Sequence, residues 1–181
     1  MSDGILQVSI EIQGDDVGNA LERLRVGLKS TDLMDSIGLQ VATWGRKRIK
    51  SRKGIAPDGS KWPSLAASTL RRKAKAGKGH KGILEFEGDL ADSIVHDNAT
   101  EDSVDVGPRM PYALIHQTGG TIKRKLKPPK ARKAKGLRVR LGPRTVEINM
   151  PARPYIGVSR EEEDQLRRFV ERWVEKLLAK G

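Results

Sequence analysis

Three histidines, His80, His96 and His116, are the first residues to consider for acid–base chemistry or metal binding. None stands in a close-spaced ligand set such as His-Glu-x-x-His. The chain also has no cysteine to act as a thiolate ligand, a nucleophile or half of a disulfide. No sequence signal supplies His116 with a nucleophile or an orienting carboxylate, so we expect it to pack or to hydrogen-bond. We predict no catalytic residue.

Two further patterns share only composition with ligand-binding motifs. The stretch 119–123, Gly-Gly-Thr-Ile-Lys, lacks the GxxxxGK[ST] spacing that arranges amides and a lysine around a phosphate. Four consecutive acids at 161–164 occupy the first turn of a predicted helix, where the helix dipole explains them. We therefore predict neither a cofactor nor a metal ion.

Basic residues form the one pattern with a strong physical consequence. The total net charge of +12 divides into +12 in segment 46–81, +11 in segment 123–144, and −11 in the rest of the chain. Such cations bind phosphates without reading sequence, or bind an acidic neighbour in an assembly. No helix-turn-helix or aromatic stacking platform accompanies them, so sequence-specific recognition is not expected. The candidate DNA or subunit contacts are Arg46, Lys47, Arg48, Arg71, Arg72, Lys73, Lys123, Arg124, Lys125, Lys127, Lys130 and Arg132.

Helices must position many of these residues. Apolar residues at helical spacing predict one helix after Asp15 or Asp16 and a second from Ser30 or Thr31. A third helix begins with a capping box at Ser159 and continues with a broad apolar stripe. The predicted apolar face of the second helix consists of Leu33, Met34, Ile37, Val41 and Trp44.

Shorter elements connect these helices. Short helices are predicted from Ser64 and Pro111. Alternating apolar residues predict strands at 6–12, 93–96 and 103–106, the last two forming a hairpin. A second predicted hairpin pairs 137–141 with 146–148 across a turn at Gly142–Pro143.

Two basic stretches lack a pattern that would pack. Residues 71–82, rich in Lys, Ala and Gly, are predicted to form a mobile basic loop. Residues 121–140 include ten Lys and Arg, and Pro128–Pro129 prevents helix formation at their centre. We predict an extended basic arm over 121–140.

The mixed periodicities predict an α+β fold in which residues 1–181 form a single domain. Short antiparallel strands and hairpins form a small sheet, packed by two N-terminal helices and a long C-terminal amphipathic helix. Only 4% of the residues are aromatic, so the core should be modest. Neither a secretory signal nor an apolar run of ~18 residues is present, so we expect a soluble protein made in the cytoplasm, with no membrane partner.

Several short motifs occur in a characteristic order along most of the chain. They are Pro-Asp-Gly-Ser-Lys-Trp-Pro-Ser-Leu at 57–65, Gly-Asp-Leu at 88–90, Tyr-Ala at 112–113, His-Gln at 116–117, Gly-Gly at 119–120 and Pro-Ala-Arg-Pro-Tyr-Ile-Gly at 151–157. The ordered series resembles the phage virion morphogenesis family, the tail completion proteins of Mu-like and related contractile-tailed phages.

The resemblance implies a non-enzymatic structural protein of the virion neck, needed for tail completion and for joining the tail to the DNA-filled head. It implies a ring of copies, sixfold to match the tail, with neck, tail-tube or connector proteins as neighbours. In a ring around the DNA path, the basic segments would line the lumen and make it cationic.

Physical roles can be assigned to the residues that carry the resemblance. Asp58-Gly59 should form a tight turn that folds Trp62 onto the core, and Gly119-Gly120 should permit positive φ after the His116 turn. Arg153, stiffened by Pro154, should pair with an acid in its own subunit or across an interface. The full set of motif residues is Asp58, Gly59, Trp62, Tyr112, His116, Gly119, Arg153 and Pro154.

Two other classes of function remain open at this point. A free, sequence-independent nucleic-acid-binding module would rest on the basic segments alone and would bind DNA with a steep salt dependence. A nuclease or a peptidoglycan hydrolase would need clustered carboxylates or a metal site, and the sequence shows no such spacing.

Overall fold

The computed structural model describes residues 16–126, 132–134, 137–139 and 144–179. These residues form an α+β fold with a C-terminal helix, as predicted. The predicted strand at 6–12 and the turn at Gly142–Pro143 lie outside the described residues. The elements are α1 (Asp16–Leu28), α2 (Thr31–Lys50), α3 (Ala67–Lys75), α4 (Asp89–Asp92), β1 (Ile94–Asp97), β2 (Asp105–Pro108), α5 (Ala113–Thr118), β3 (Gly120–Leu126), β4 (Arg132–Ala134), β5 (Leu137–Val139), β6 (Arg144–Met150) and α6 (Arg160–Leu178).

The helix α2 is the centre of the fold and packs against β1, β2 and α4. Its start at Thr31 and the burial of Leu33 confirm the prediction, but its other buried residues lie outside the predicted face. Met34, Ile37, Val41 and Trp44 are only half-buried, because small residues on another face let β1 approach closely. The buried residues of α2 are Leu33, Gly38, Ala42, Gly45 and Ile49.

The strands form three separate antiparallel pairs within the described residues, where the sequence predicted one small sheet. The first predicted hairpin is confirmed as β1–β2, in which Ile94 pairs with Pro108. The second predicted hairpin is wrong, because β6 pairs with β3 and β5 pairs with β4. The alternation of apolar and polar residues showed which residues are extended, but it did not show which strands pair.

The strands β3 and β6 form an antiparallel pair, termed here the ribbon. The first residues of the predicted basic arm belong to this ribbon and are paired, whereas the prediction left them unpaired. Residues 120–126 are extended, as expected, but they pair with 144–150 over seven positions, from Gly120 opposite Met150 to Leu126 opposite Arg144. The two strands pack mainly on each other. The prediction failed here because the apolar partners of β3 are supplied by β6, which is distant in the sequence.

The C-terminal helix α6 packs on α1. The Ser159 hydroxyl accepts the amide of Glu162, whose carboxylate accepts the amide of Ser159, so the predicted capping box is confirmed. At the other end, the indole of Trp173 donates to the carbonyl of Gly27 at 3.0 Å. No described residue of α6 is fully buried, so its apolar stripe is only half covered.

The segment predicted as a loop, 71–82, needs correction over its first five residues, which belong to α3. The Lys73 ammonium is buried and donates to the carbonyls of Lys81, Gly82 and Glu85 at 2.9, 2.6 and 3.0 Å. These bonds hold the chain after α3 against the helix. The predicted mobility of the remainder stays a prediction.

The core is modest, as predicted, and lies between α2, β1 and the segment 151–157. Its buried residues are Ala42, Ile49, Ala56, Trp62, Leu90, Ala91, Ile94, Ala113 and Tyr155.

Candidate functional site

The segment 151–157 lies at the centre of the motif residues. Its Tyr155 is buried, and the hydroxyl donates to the carbonyl of Ala113 at 3.1 Å. Burial raises the pKa of this hydroxyl to about 12, so it stays a neutral donor. Tyr155 therefore ties the start of α5 to the segment.

Gln117 makes a second link between α5 and this segment. Its side-chain carbonyl accepts from the amides of Tyr155 and Ile156 at 2.9 and 3.1 Å, and its amino group donates to the carbonyl of Ile156 at 2.9 Å. These bonds mimic a strand pairing and fix the segment in register with α5. Gln117 stands in a quoted motif, yet no sequence signal indicated this long-range partner.

The turn before Trp62 has the predicted form. The Asp58 carboxylate accepts from the amide and hydroxyl of Ser60 at 2.9 and 2.7 Å, and Gly59 has a φ of +84°. Trp62 is buried and its indole donates to the carbonyl of Pro154 at 2.8 Å. The turn therefore brings Trp62 onto the core and onto the 151–157 segment.

Arg153 is buried but is not paired with an acid of its own chain among the described residues. Its guanidinium donates instead to the carbonyls of Pro63 and Ser64 at 2.9 and 3.0 Å. Backbone carbonyls can replace a carboxylate here because each offers lone pairs without adding a second buried charge. Of the two predicted alternatives, pairing with an acid of the same subunit is therefore wrong for the described residues, and pairing across an interface stays a prediction.

His116 lies beside Arg153, and the Arg153 amide donates to its carbonyl at 2.8 Å. Burial lowers the pKa of the imidazole, and the nearby charge of Arg153 lowers it further. The Tyr112 ring meets the imidazole edge to face, with centroids 6.0 Å apart. The predicted packing role of His116 is confirmed, although its Nδ1 is buried without a hydrogen-bond partner among the described residues.

Arg48, one of the predicted contact cations, is used inside the subunit. One guanidinium nitrogen donates to both carboxylate oxygens of Glu162 at 2.8 and 2.6 Å, and another donates to the carbonyl of Tyr155 at 2.7 Å. The side chains of Arg48 and Glu162 are only 10% and 15% exposed. The pair therefore joins the end of α2 to the start of α6.

Two more of the predicted contact cations have internal partners. Arg46 donates to the carbonyl of Ile94 in β1 through two nitrogens, at 3.0 and 2.6 Å. Lys73 is enclosed by three carbonyls and cannot reach a partner molecule from that position. Sequence counts could not separate these structural cations from free ones, because their acceptors are distant carbonyls.

The remaining predicted contact cations fall into two groups. Lys47, Arg71 and Arg72 are exposed on α2 and α3, where Arg72 also stacks on the Phe86 ring. Lys123, Arg124 and Lys125 are exposed on the ribbon. Lys127 and Lys130 lie outside the described residues, and Arg132 is described only as part of the β4 backbone.

The ribbon has two chemically different faces because side chains alternate along a strand. On the polar face Thr121 hydrogen-bonds Asn149 at 2.8 Å, and Lys123 forms an ion pair with Glu147 at 3.2 Å. On the other face Ile122 stands opposite Ile148. The same face carries Leu126, Val146 and Met150, and also Arg124, which stands opposite Val146.

The base of the ribbon is held against the 151–157 segment. Gly119 has a φ of +73°, as predicted, and a Cβ at this position would lie 2.8 Å from the Ala152 nitrogen and 3.0 Å from the Met150 carbonyl oxygen. The glycine therefore permits both the turn and the close crossing.

A shallow groove of about 330 Å³, termed here the α5 groove, opens beside α5. Its walls are apolar, and its one amide, Gln117, already uses its oxygen and nitrogen internally. The groove is lined by Val106, Pro108, Met110, Leu114, Tyr155 and Ile156.

The described residues contain no group of three or more His, Asp or Glu side chains arranged to hold a metal ion. No helix in the described ranges is long and apolar enough to cross a membrane.

Comparison with known proteins identifies a family. The phage virion morphogenesis family matches residues 12–175, which is most of the chain. Neither a curated protein nor a solved structure matches. The motif residues that suggested the family include those that build the segment 151–157 and its contacts. The chain therefore belongs to the phage virion morphogenesis family.

Proposed function

We propose that this chain is a non-enzymatic structural subunit of the phage neck, a tail completion protein that acts when the tail is joined to the DNA-filled head. Family membership supports a role in virion morphogenesis. The observation that favours the neck is the ribbon, because it carries exposed Lys123, Arg124 and Lys125 away from the core. A basic projection of this kind suits a position beside DNA.

The subunit acts as a ring of copies, sixfold to match the tail, in contact with tail-tube or connector proteins. Apolar exposure supports assembly, since a subunit that packs against neighbours need not cover all of its apolar surface itself. The helix α1 exposes Val17, Leu21 and Val26, and α5 exposes Leu114.

Deleting the gene from its phage tests the position in the neck. The expected result is DNA-filled heads and separate tails that do not join, with infectivity restored by the gene in trans. An epitope-tagged chain should copurify with complete virions and with isolated tails. Normal virions from the deletion strain would contradict the proposal.

A second candidate is a sequence-independent nucleic-acid-binding module, favoured by the same exposed cations of the ribbon. The isolated protein would then bind duplex DNA tightly, and log K would fall with log salt by about 0.9 for each phosphate contacted. The neck subunit is expected to bind DNA weakly in isolation, because only its assembled ring surrounds the duplex. Fluorescence anisotropy across a salt series distinguishes the two.

A further inference from the structure

One face of the ribbon is apolar apart from Arg124, and its own chain leaves this face open. It is termed here the apolar face. Ile122 and Ile148 stand directly opposite each other, and they are 38% and 39% exposed. A two-stranded ribbon is marginally stable alone in water and gains stability when an apolar face is packed. The ribbon therefore has the form of an element that needs a partner.

We propose that the apolar face of the ribbon lies in the α5 groove of a second copy of the chain. This contact rests on the ring proposed above and specifies its interface.

The α5 groove fits an apolar occupant. Leu114 on its rim is 70% exposed, and the hydroxyl of Tyr155 in its wall is satisfied by Ala113. Gln117 also has its hydrogen-bond partners within the subunit. An aliphatic side chain that enters the groove therefore leaves none of these polar groups without a partner. Isoleucine and valine side chains on the ribbon meet this requirement.

Charge favours the same pairing. The strand β2 lines the groove and continues into the hairpin loop 97–105, which holds four acids and no Lys or Arg. Asp97 pairs with Arg109, whereas the other three have no ion pair among the described residues. A ribbon in the groove would bring Arg124, which lies on the same face as Ile122 and Ile148, towards this acidic loop. The other three acids are Glu101, Asp102 and Asp105.

The pairing is head to tail, because the ribbon and the groove are different surfaces of one subunit. Such a heterologous contact leaves a free ribbon at one end and a free groove at the other, and it closes into a ring when the rotation between copies permits. DNA is a poorer occupant of this face, since Ile122 and Ile148 offer phosphates no hydrogen bond and Arg124 is the one cation whose side chain is described there. The polar face, with Lys123, stays available to a further partner.

Disulfide trapping tests the contact in the full-length protein, because the native chain has no cysteine. Tagged Ile122→Cys protein is mixed with untagged Leu114→Cys protein and oxidised. A disulfide between them must join two copies, and it forms only when the Cα atoms approach to about 4.4–6.8 Å. The control mixture pairs Ile122→Cys with Leu21→Cys, which lies on the exposed surface of α1.

The expected result is a mixed dimer with Leu114→Cys, at least ten times more abundant than with Leu21→Cys. Preferential trapping with Leu21→Cys, or equal trapping with both, would overturn the contact while leaving self-association and the neck function intact. A chain that stays monomeric in sedimentation at every concentration would also overturn it, and the gene deletion would still test the neck function independently.

A substitution on the ribbon gives a second test. Ile122→Ser should weaken self-association at least tenfold, whereas Lys125→Ser, on the polar face of the same strand, should change it less than threefold. Circular dichroism should show both variants folded, because neither residue belongs to the core. Equal effects on association would contradict the proposal, and loss of DNA binding alone would indicate DNA as the occupant.

Discussion

At the residue scale, buried cations hold the subunit together without matching acids in most cases. Arg46, Lys73 and Arg153 all donate to backbone carbonyls, and Arg48 alone of these four adds a carboxylate partner. A carbonyl satisfies the donor without a second desolvated charge. Part of the basic segment 46–81 therefore serves the fold.

The pair of Arg48 and Glu162 gives a test of this view. Glu162→Gln keeps a capping-box side chain but loses the charge, so it should lower the free energy of unfolding by about 1.5–3 kcal/mol. Glu163→Gln, exposed in the same helical turn, should cost no more than about 1 kcal/mol. Urea denaturation measures both, and equal losses would show that the ion pair contributes nothing beyond the helix dipole.

His116 should make the stability depend on pH. Because its pKa is lowered in the folded state, the unfolded chain binds the proton more readily, and stability is fully present above the unfolded pKa of about 6.5. Stability should fall as the pH drops below that value. Thermal melts from pH 7.5 to 5.5 should show the decline in the native protein and in His80→Gln, and a smaller one in His116→Gln. An unchanged slope in His116→Gln would contradict this assignment.

At the element scale, α2 shows that a hydrophobic pattern can predict the position of a helix but not its closest contact. Periodicity located the helix because it reports large apolar residues. The closest contact, however, uses Gly38, Ala42 and Gly45. Their side chains are small or absent, and this allows β1 to lie close to the helix. A Cβ on Gly38 would lie 2.6 Å from a Val104 methyl carbon and 2.9 Å from the His96 Cβ.

Gly38→Ala should therefore destabilise the protein by about 1–3 kcal/mol, although alanine is the better helix former by about 1 kcal/mol. Gly107→Ala is the control, because its Cβ would meet no atom within 4 Å. Differential scanning calorimetry compares them. A Gly38→Ala protein as stable as the native one would show that β1 moves away at little cost.

The ribbon shows why strand partners were harder to predict than helices. The alternation of Ile122 and Leu126 is interrupted by Arg124, so β3 alone has no apolar period. Val146 and Ile148 of β6, which stand opposite Arg124 and Ile122, add the apolar surface that β3 lacks on this face. Likewise, the bonds of Gln117 and Arg153 join residues about 40 and 90 positions apart, for which a single sequence carries no signal.

At the scale of the whole molecule, the positions of the charged residues are more informative than the net charge of +12. Part of the first basic segment is internal, while the ribbon presents its cations outward. Replacing Lys123, Arg124, Lys125 and Lys127 by Gln should lower the melting temperature by no more than about 8 °C, because four surface substitutions at roughly 0.5 kcal/mol or less total about 2 kcal/mol at most, and each kcal/mol shifts Tm by about 2–4 °C. The same variant should fail to complement the gene deletion, and normal plaque numbers would show that these cations are dispensable.

Electron cryomicroscopy of the virion neck would show the position and the arrangement of the subunit together. A closed ring of this chain is expected between head and tail, with the basic ribbons directed towards the DNA path and each ribbon lying on the adjacent copy. A neck without this chain, or a ring whose ribbons all point outward to solvent, would contradict this expectation.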